Sequence, residues 1–365
     1  MAELLEQIEE LLDEADDLDH GPAQVAIVER AVELADAHGE VGVGYFARNK
    51  LVEAATFAGR ADVAMVAFSW LLAKYDADPE SYDGHEILWR YKWILDCVAD
   101  FPSIPKAQID SLFDDMKRRY KASGASLHAY WGLRRNCAVA MGDADEAMRA
   151  DAKIRQAPRD GLSNCPACVQ DEEVEYATFI GEDAAAVKAA KPILSGRMKC
   201  GEVPERTYAC VMMPLLRLGK HSEALDHYRT GYRLVRRNPK FVRHKAMFLT
   251  GLTLTGNLDR AMKLLDRHLP EALDSASPWW RFEFFLASRL FLEKLTEAGQ
   301  TTLPIRVPDK LGLAGIPTVA GLATSLDGRL MELAEHFDAR NGNGSFVGRC
   351  LCFRDLFGFA KTLPI

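Results

Sequence analysis

Gly219-Lys220-His221-Ser222-Glu223-Ala224-Leu225-Asp226-His227-Tyr228 is the stretch on which the reading turns, because its spacing recurs along the chain. Gly21, Gly59, Gly142, Gly181, Gly219 and Gly256 are each followed five residues later by an alanine, namely Ala26, Ala64, Ala147, Ala186, Ala224 and Ala261. Successive glycines lie 38, 83, 39, 38 and 37 residues apart, so the long step conceals one degenerate unit. The hidden turn is expected between Asp100 and Lys106, where Phe101-Pro102-Ser103-Ile104-Pro105 stands in place of the glycine. Such a period signals supersecondary units that stack because none buries its apolar face alone. Glycine permits the tight turn between two helices, and the alanine lets them approach closely. Pro79 and Pro239 each lie twenty residues after a turn glycine and mark the register a second time.

Between the turns the apolar spacing is helical, with no sustained alternation, which predicts an all-α chain. The expected helix pairs are 2–18 with 23–38, 41–58 with 61–75, 83–98 with 105–122, and 126–141 with 144–156. After a loop at 157–170 come 172–180 with 183–194, then 204–218 with 222–236 and 240–255 with 258–273. The first helix carries Leu4, Leu5, Ile8, Leu11 and Leu12 on one face and acids elsewhere. The rhythm changes after Ser277: a long apolar helix at 279–298, an irregular Pro/Gly/Thr-rich crossing at 301–325, a helix at 326–339 and an aromatic end at 346–359 that docks. The expected division is repeats over 1–276 and a C-terminal helical and irregular cap over 277–365.

Gly219, Ala224, Tyr228 and Pro239, with Gly59, Ala64 and Pro79, resemble the turn glycine, small helix-B alanine, aromatic and terminal proline of the tetratricopeptide repeat (TPR). The resemblance covers about seven units between residues 21 and 273, with a period longer than the family's ~34 residues and no tryptophan–leucine–glycine opening. It implies a right-handed α–α superhelix, a TPR-like solenoid whose first helices form a concave wall that holds a protein or peptide segment.

Composition narrows the function. Of the 365 residues 48% are hydrophobic and 27% charged, as in a folded rather than disordered chain. A net charge of −8 argues against a nucleic-acid partner. No apolar run has the length of a membrane span, and the acidic first twenty residues do not read as an export signal, so a cytoplasmic location is the expectation. No phosphate loop, Gly-x-Gly-x-x-Gly, His-Glu-x-x-His or nucleophile elbow is present, and an enzyme is the least favoured reading.

Cys165-Pro166-Ala167-Cys168 is the sharpest local signal for chemistry. A helix leaving this loop, a turn at Gly181 and a helix returning would bring Cys200 to the same end. Three thiols then suit Zn²⁺, with His128, His244, Asp171 or Glu172 as fourth donor. His128, which opens the preceding repeat, is the assigned choice. Unligated thiols and a redox pair remain open, the latter lacking the context that places such a pair at a helix start. A structural zinc would staple the repeat whose alanines bury little area. Cys97, Cys137 and Cys210 read as core, and Cys350-Leu351-Cys352 as packing. On the inner wall, Asn49, Glu53, Arg90, Arg134, Arg135, Asn136, Arg206 and Arg243 are the expected ligand-binding residues, able to hold a peptide's carboxylates and backbone. The cations from Arg229 to Lys245 would complement helix dipoles and acids on neighbouring repeats. The leading expectation is a non-catalytic binding scaffold, and the alternative is a ligand- or redox-responsive regulator on the same solenoid.

Overall fold

The computed structural model describes residues 2–313 and 317–365; the side chain of Leu4 and positions 314–316 of the expected crossing segment lie outside the described residues. These residues form eighteen α-helices and five short 3-10 turns, with β structure limited to two isolated bridges. The fold is all-α.

The expected pairs are present as α1 (Ala2–Asp16) with α2 (Pro22–Ala37), α3 (Val41–Phe57) with α4 (Ala61–Ala77), and α5 (Gly84–Cys97) with α6 (Lys106–Ala122). They continue as α7 (His128–Met141) with α8 (Ala144–Ile154) and α9 (Pro166–Phe179) with α10 (Asp183–Leu194). The next first helix is broken into α11 (Glu205–Cys210) and α12 (Met212–Arg217), paired with α13 (His221–Val235). Then follow α14 (Val242–Leu254) with α15 (Leu258–Asp274), α16 (Pro278–Glu297), α17 (Val319–Asn341) and α18 (Ser345–Cys352). Besides packing in pairs, α5, α7, α9, α11, α14 and α16 touch in sequence and make an inner row.

The repeat signature has the physical meaning expected of it at five of its six positions. Gly59, Gly142, Gly181, Gly219 and Gly256 take φ between 70° and 81° between paired helices. Their partners Ala64, Ala147, Ala186, Ala224 and Ala261 have no exposed surface, because a larger side chain there would push the paired helices apart. The Gly21 match is incidental. Gly21 is extended at φ 174°, Ala26 is exposed, and Gln24 and Val25 are the buried residues of that turn. Pro79 and Pro239 each open a 3-10 turn that joins one repeat to the next. The degenerate unit lies where expected, α5 running into a 3-10 turn at Val98–Asp100 and α6 starting at Lys106.

Three boundaries differ from expectation. The helix at 204–218 is two, since Pro214 has no N–H to give the Cys210 carbonyl and the chain steps aside at Val211. Helix α9 begins six residues early, with Pro166 at its first position and Cys165 as N-cap. Helix α17 begins at Val319 inside the expected irregular crossing, because Thr318 caps it by accepting the Gly321 amide at 3.0 Å.

The apolar core runs without a break across position 276. One cluster extends from Val174 to Cys350, another from Ile8 to Leu162, and Trp279 packs against both. The end of the chain returns to the middle of the array. Arg340 donates to the Ala99 and Phe101 carbonyls at 2.7 and 3.1 Å, and Asn341 and Asn343 both donate to the Met141 carbonyl at 3.0 Å. The amides of Lys361 and Leu363 bond the carbonyls of Leu254 and Thr255 at the end of α14. Those last carbonyls have no partner within their helix, so the tail supplies what a helix end lacks. No described helix is long and apolar enough to cross a membrane.

Candidate functional site

The inner row carries polar side chains that the repeat cannot place in its apolar seams, so they meet along the axis. Arg206 of α11 is the hub: it pairs with Asp171 at 3.1 Å, Glu175 at 3.5 Å and Glu202 at 3.8 Å. Glu175 also pairs with Arg243 of α14, and Glu202 with Lys240. Asp171 accepts from the Thr207 hydroxyl. Burial raises the Asp171 carboxyl in spite of Arg206, whereas at Glu175 Arg243 and Arg206 overcome burial and hold the carboxyl below its usual range. Asp96 of α5, an exposed side chain, lies near the same group and feels the charge of Arg206. His244 is buried with neither ring nitrogen bonded, and burial with the charges of Arg243, Arg206, Lys240 and Lys245 drives its pKa well down.

Beyond Arg243 the axis opens into a cavity of about 410 Å³ between α7, α9, α12 and α14 on one side and α16 and α18 on the other. Phe179, Met213, Met247, Leu290 and Leu356 supply apolar wall. Its charges are already matched: Arg349 clamps Glu283 with two bonds of 2.8 and 2.6 Å, and Trp279 Nε1 donates to the same carboxylate at 3.1 Å. Arg243 lies 4.1 Å above the Trp279 ring. Apolar walls with a few fixed polar groups are the usual make-up of a binding cavity.

The residues expected on the inner wall separate into three groups. Asn136, Arg206 and Arg243 belong to the axial network. Asn49, Glu53 and Arg90 form a cluster of their own, Arg90 donating to Asn49 at 3.2 Å and pairing with Glu53 at 3.5 Å and Glu86 at 3.0 Å. Arg134 and Arg135 make their ion pairs outside the Arg206 cluster, Arg135 reaching Glu172 at 3.9 Å. Arg134 bridges Asp110 of α6 and Glu146 of α8, and Arg135, 2% exposed, pairs with Asp151 and Glu173. Most charges of the inner wall are satisfied internally, and α16 and α18 line the part beyond Arg243, while Asp96 stays exposed. Asp96, Glu175, Glu202, Trp279, Glu283 and Arg349 were not anticipated. Asp171 and Glu175, one helical turn apart on a helix with few large apolar residues, are the sequence signal that could have pointed to the acids of this network. The basic stretch meets acids as expected, with Lys240, Arg243 and Lys245 on Glu202, Glu175 and Glu271.

The second site is at the outer end of α9. The sulfurs of Cys165, Cys168 and Cys200 all lie within 4.8 Å of one another. Cys200 is held by a two-way backbone bridge to Val203, and Ala167, Ile193 and Val203 pack beneath the cluster. His128 does not join this set, contrary to expectation. It sits at the start of α7, where burial and Arg159 lower its pKa. The other proposed fourth donors are engaged elsewhere or apart: Asp171 with Arg206, Glu172 with Asn164 at 2.7 Å, and His244 on the axis. The pair also sits at a helix start, although without the strand–helix–strand context of a thioredoxin-type site. Cys165 Sγ accepts the Cys168 amide at 3.4 Å. Burial works to raise the Cys165 thiol, but that amide and the Cys200 and Cys168 thiols bring it below its usual value, while burial and Cys165 push Cys168 up. Cys137 and Cys210 are buried, as expected of core residues; Cys350 is buried and Cys352 exposed.

A third ionisable group links the array to its C-terminal helices. Asp100, 4% exposed, accepts the Ser277 hydroxyl at 2.8 Å at the start of α16, and burial raises its pKa to about 7. Between roughly pH 4 and 7 the folded chain thus keeps a proton that the unfolded chain has lost. The stability contribution is complete below the unfolded value and is lost as pH rises through 7. Asp100→Asn keeps the acceptor without the charge. Its stability relative to wild type should therefore improve by about 2 kcal/mol between about pH 5.5 and 8. Urea midpoints at the two pH values check this, and parallel profiles would contradict it.

No family model matches the chain, and no curated protein matches it. Among solved structures, the crystal structure of the P58(IPK) TPR domain aligns over 98% of both chains at 11% identity, with a TM-score of 0.26. At that score the likeness carries no weight for fold or function, and the architecture rests on the helix packing itself.

Proposed function

We propose that the chain is a non-catalytic binding scaffold that takes a protein or peptide segment into the cavity between its inner helices and its C-terminal helices. The supporting observation is the cavity of about 410 Å³, with apolar walls from Met213, Met247 and Phe179 beside the paired charges of Glu283 and Arg349. Methionine side chains re-pack around different apolar anchors, and fixed charge pairs offer bonds to a peptide backbone. Peptides selected from a random display library on the wild-type chain should lose at least tenfold in affinity to Met247→Trp, which fills the cavity. Equal affinity for the two proteins, or a failure to enrich any peptide, counts against the reading.

In the same proposal Zn²⁺ at Cys165, Cys168 and Cys200 staples the α9–α10 repeat. Three thiolates at bonding separation suit a soft, borderline cation, and helix-start amides help keep Cys165 deprotonated. A second reading is favoured by the position of the Cys165–Cys168 pair at a helix start: thiol oxidation would alter affinity for the partner. Affinity of the selected peptides for reduced and for mildly oxidised protein separates the two, since a metal staple leaves affinity unchanged.

A further inference from the structure

We propose that the cleft between the 102–106 loop and helices α16 and α17 binds an amphipathic organic anion, with its apolar body against the walls and a carboxylate or phosphate-type oxyanion among the arginines. The cleft has a volume of about 920 Å³, more than twice that of the axial cavity. Leu273, Phe285 and Leu333 give it an apolar side. Its polar lining is unbalanced. Lys106, Arg281, Arg329, His336 and Arg340 converge on it, against the single carboxylate of Glu332. Elsewhere in this chain inward-facing arginines find carboxylates, as Arg206, Arg243 and Arg349 do. Among the described residues none of the four Lys and Arg side chains of the cleft forms an ion pair.

Two of the arginines are nonetheless held in place. Arg340 is fixed by the Ala99 and Phe101 carbonyls, and Arg329 by the Lys310 carbonyl at 2.6 Å. Lys106 is exposed and unbonded among the described residues, and Arg281 Nε is shielded from water with no hydrogen-bond partner among them. Burial and the neighbouring Arg329 also lower its pKa, so the protein bears a cost there that an anion would relieve. Guanidinium groups lining a cleft with an apolar side match an oxyanion bonded by two parallel N–H groups. A ligand with an apolar body gains the burial that inorganic phosphate cannot.

The probe is 1-anilinonaphthalene-8-sulfonate, titrated into the full chain by fluorescence, with laurate and inorganic phosphate as competitors. Saturable binding is expected. Laurate should displace the probe, phosphate at the same concentration should not, and raised salt should weaken binding. Arg281→Met should weaken it at least tenfold while keeping or raising the melting temperature, since that guanidinium has no partner to lose. Met247→Trp, which fills the axial cavity, should leave it unchanged and so separates this site from the scaffold reading. The proposal is overturned if Arg281→Met binds the probe like wild type, if phosphate competes as well as laurate, or if only Met247→Trp abolishes the signal.

Discussion

On the proposed zinc reading of Cys165, Cys168 and Cys200, a chelator, or replacement of Cys168 with serine, is expected to lower the melting temperature and to open α9 and α10 ahead of the rest of the array. Sequence and packing both give this repeat little apolar area of its own. Its second helix carries Ala184, Ala185, Ala186, Ala189 and Ala190, side chains that remove little apolar area from water, and Pro192 interrupts its hydrogen bonding near the end. The link from α10 to α11 passes through Cys200, which is exposed and fixed only by its bridge to Val203. A metal bound to the folded state alone stabilises it by about 4 kcal/mol when free metal exceeds its dissociation constant a thousandfold. In a stacked array the loss concentrates on the repeat that held the ion and its neighbours. Hydrogen exchange measured with and without chelator checks the location of the effect, and elemental analysis of the purified chain checks the stoichiometry. Identical exchange in α9 and α10 in both states, with no zinc in the protein, would remove the staple from the account.

The second large effect is expected from Arg206→Met. Arg206 is shared by Asp171, Glu175 and Glu202, and Asp171 is 1% exposed. Removing the cation leaves Asp171 with the Thr207 hydroxyl alone, while Glu175 and Glu202 retain Arg243 and Lys240. An unpaired buried charge of this kind costs about 3–5 kcal/mol. The double variant Arg206→Met with Asp171→Asn keeps an acceptor for Thr207 without the stranded charge, and it should be more stable than the single variant. Urea unfolding of the two variants and wild type makes the comparison, and strict additivity of the two substitutions would show that the charges are not coupled.

Local regularities made the solenoid legible. A left-handed turn needs glycine, and a close helix pair needs a side chain as small as alanine. Both constraints act within a few residues and therefore appear in sequence at each repeat. Boundaries were misjudged where a single residue changed local bonding: Pro214 splitting α11 from α12, Cys165 capping α9, and Thr318 starting α17. Gly21 and Ala26 satisfied the spacing without the structure, because two common residues five apart recur by chance.

The sites were legible in proportion to how local they are. Cys165 and Cys168 lie within one turn of helix, and Cys200 follows from a helix that leaves and a helix that returns, so the cluster could be placed by topology. Arg206 and Arg243 were found, but their partners and the separate pairing of Arg134 and Arg135 were not. Which face of a helix turns to the axis depends on how far each repeat rotates on the last, and spacing from a glycine does not fix that angle. The sequence by itself determined the helices, the turns between them and the meeting of three thiols. Only the tertiary structure decided that α16, α17 and α18 pack back onto the array and leave unpaired arginines around a cleft. The reason is that these contacts join residues such as Ala99 with Arg340 and Met141 with Asn341, far apart in the chain, and small rotations summed over many repeats bring them together.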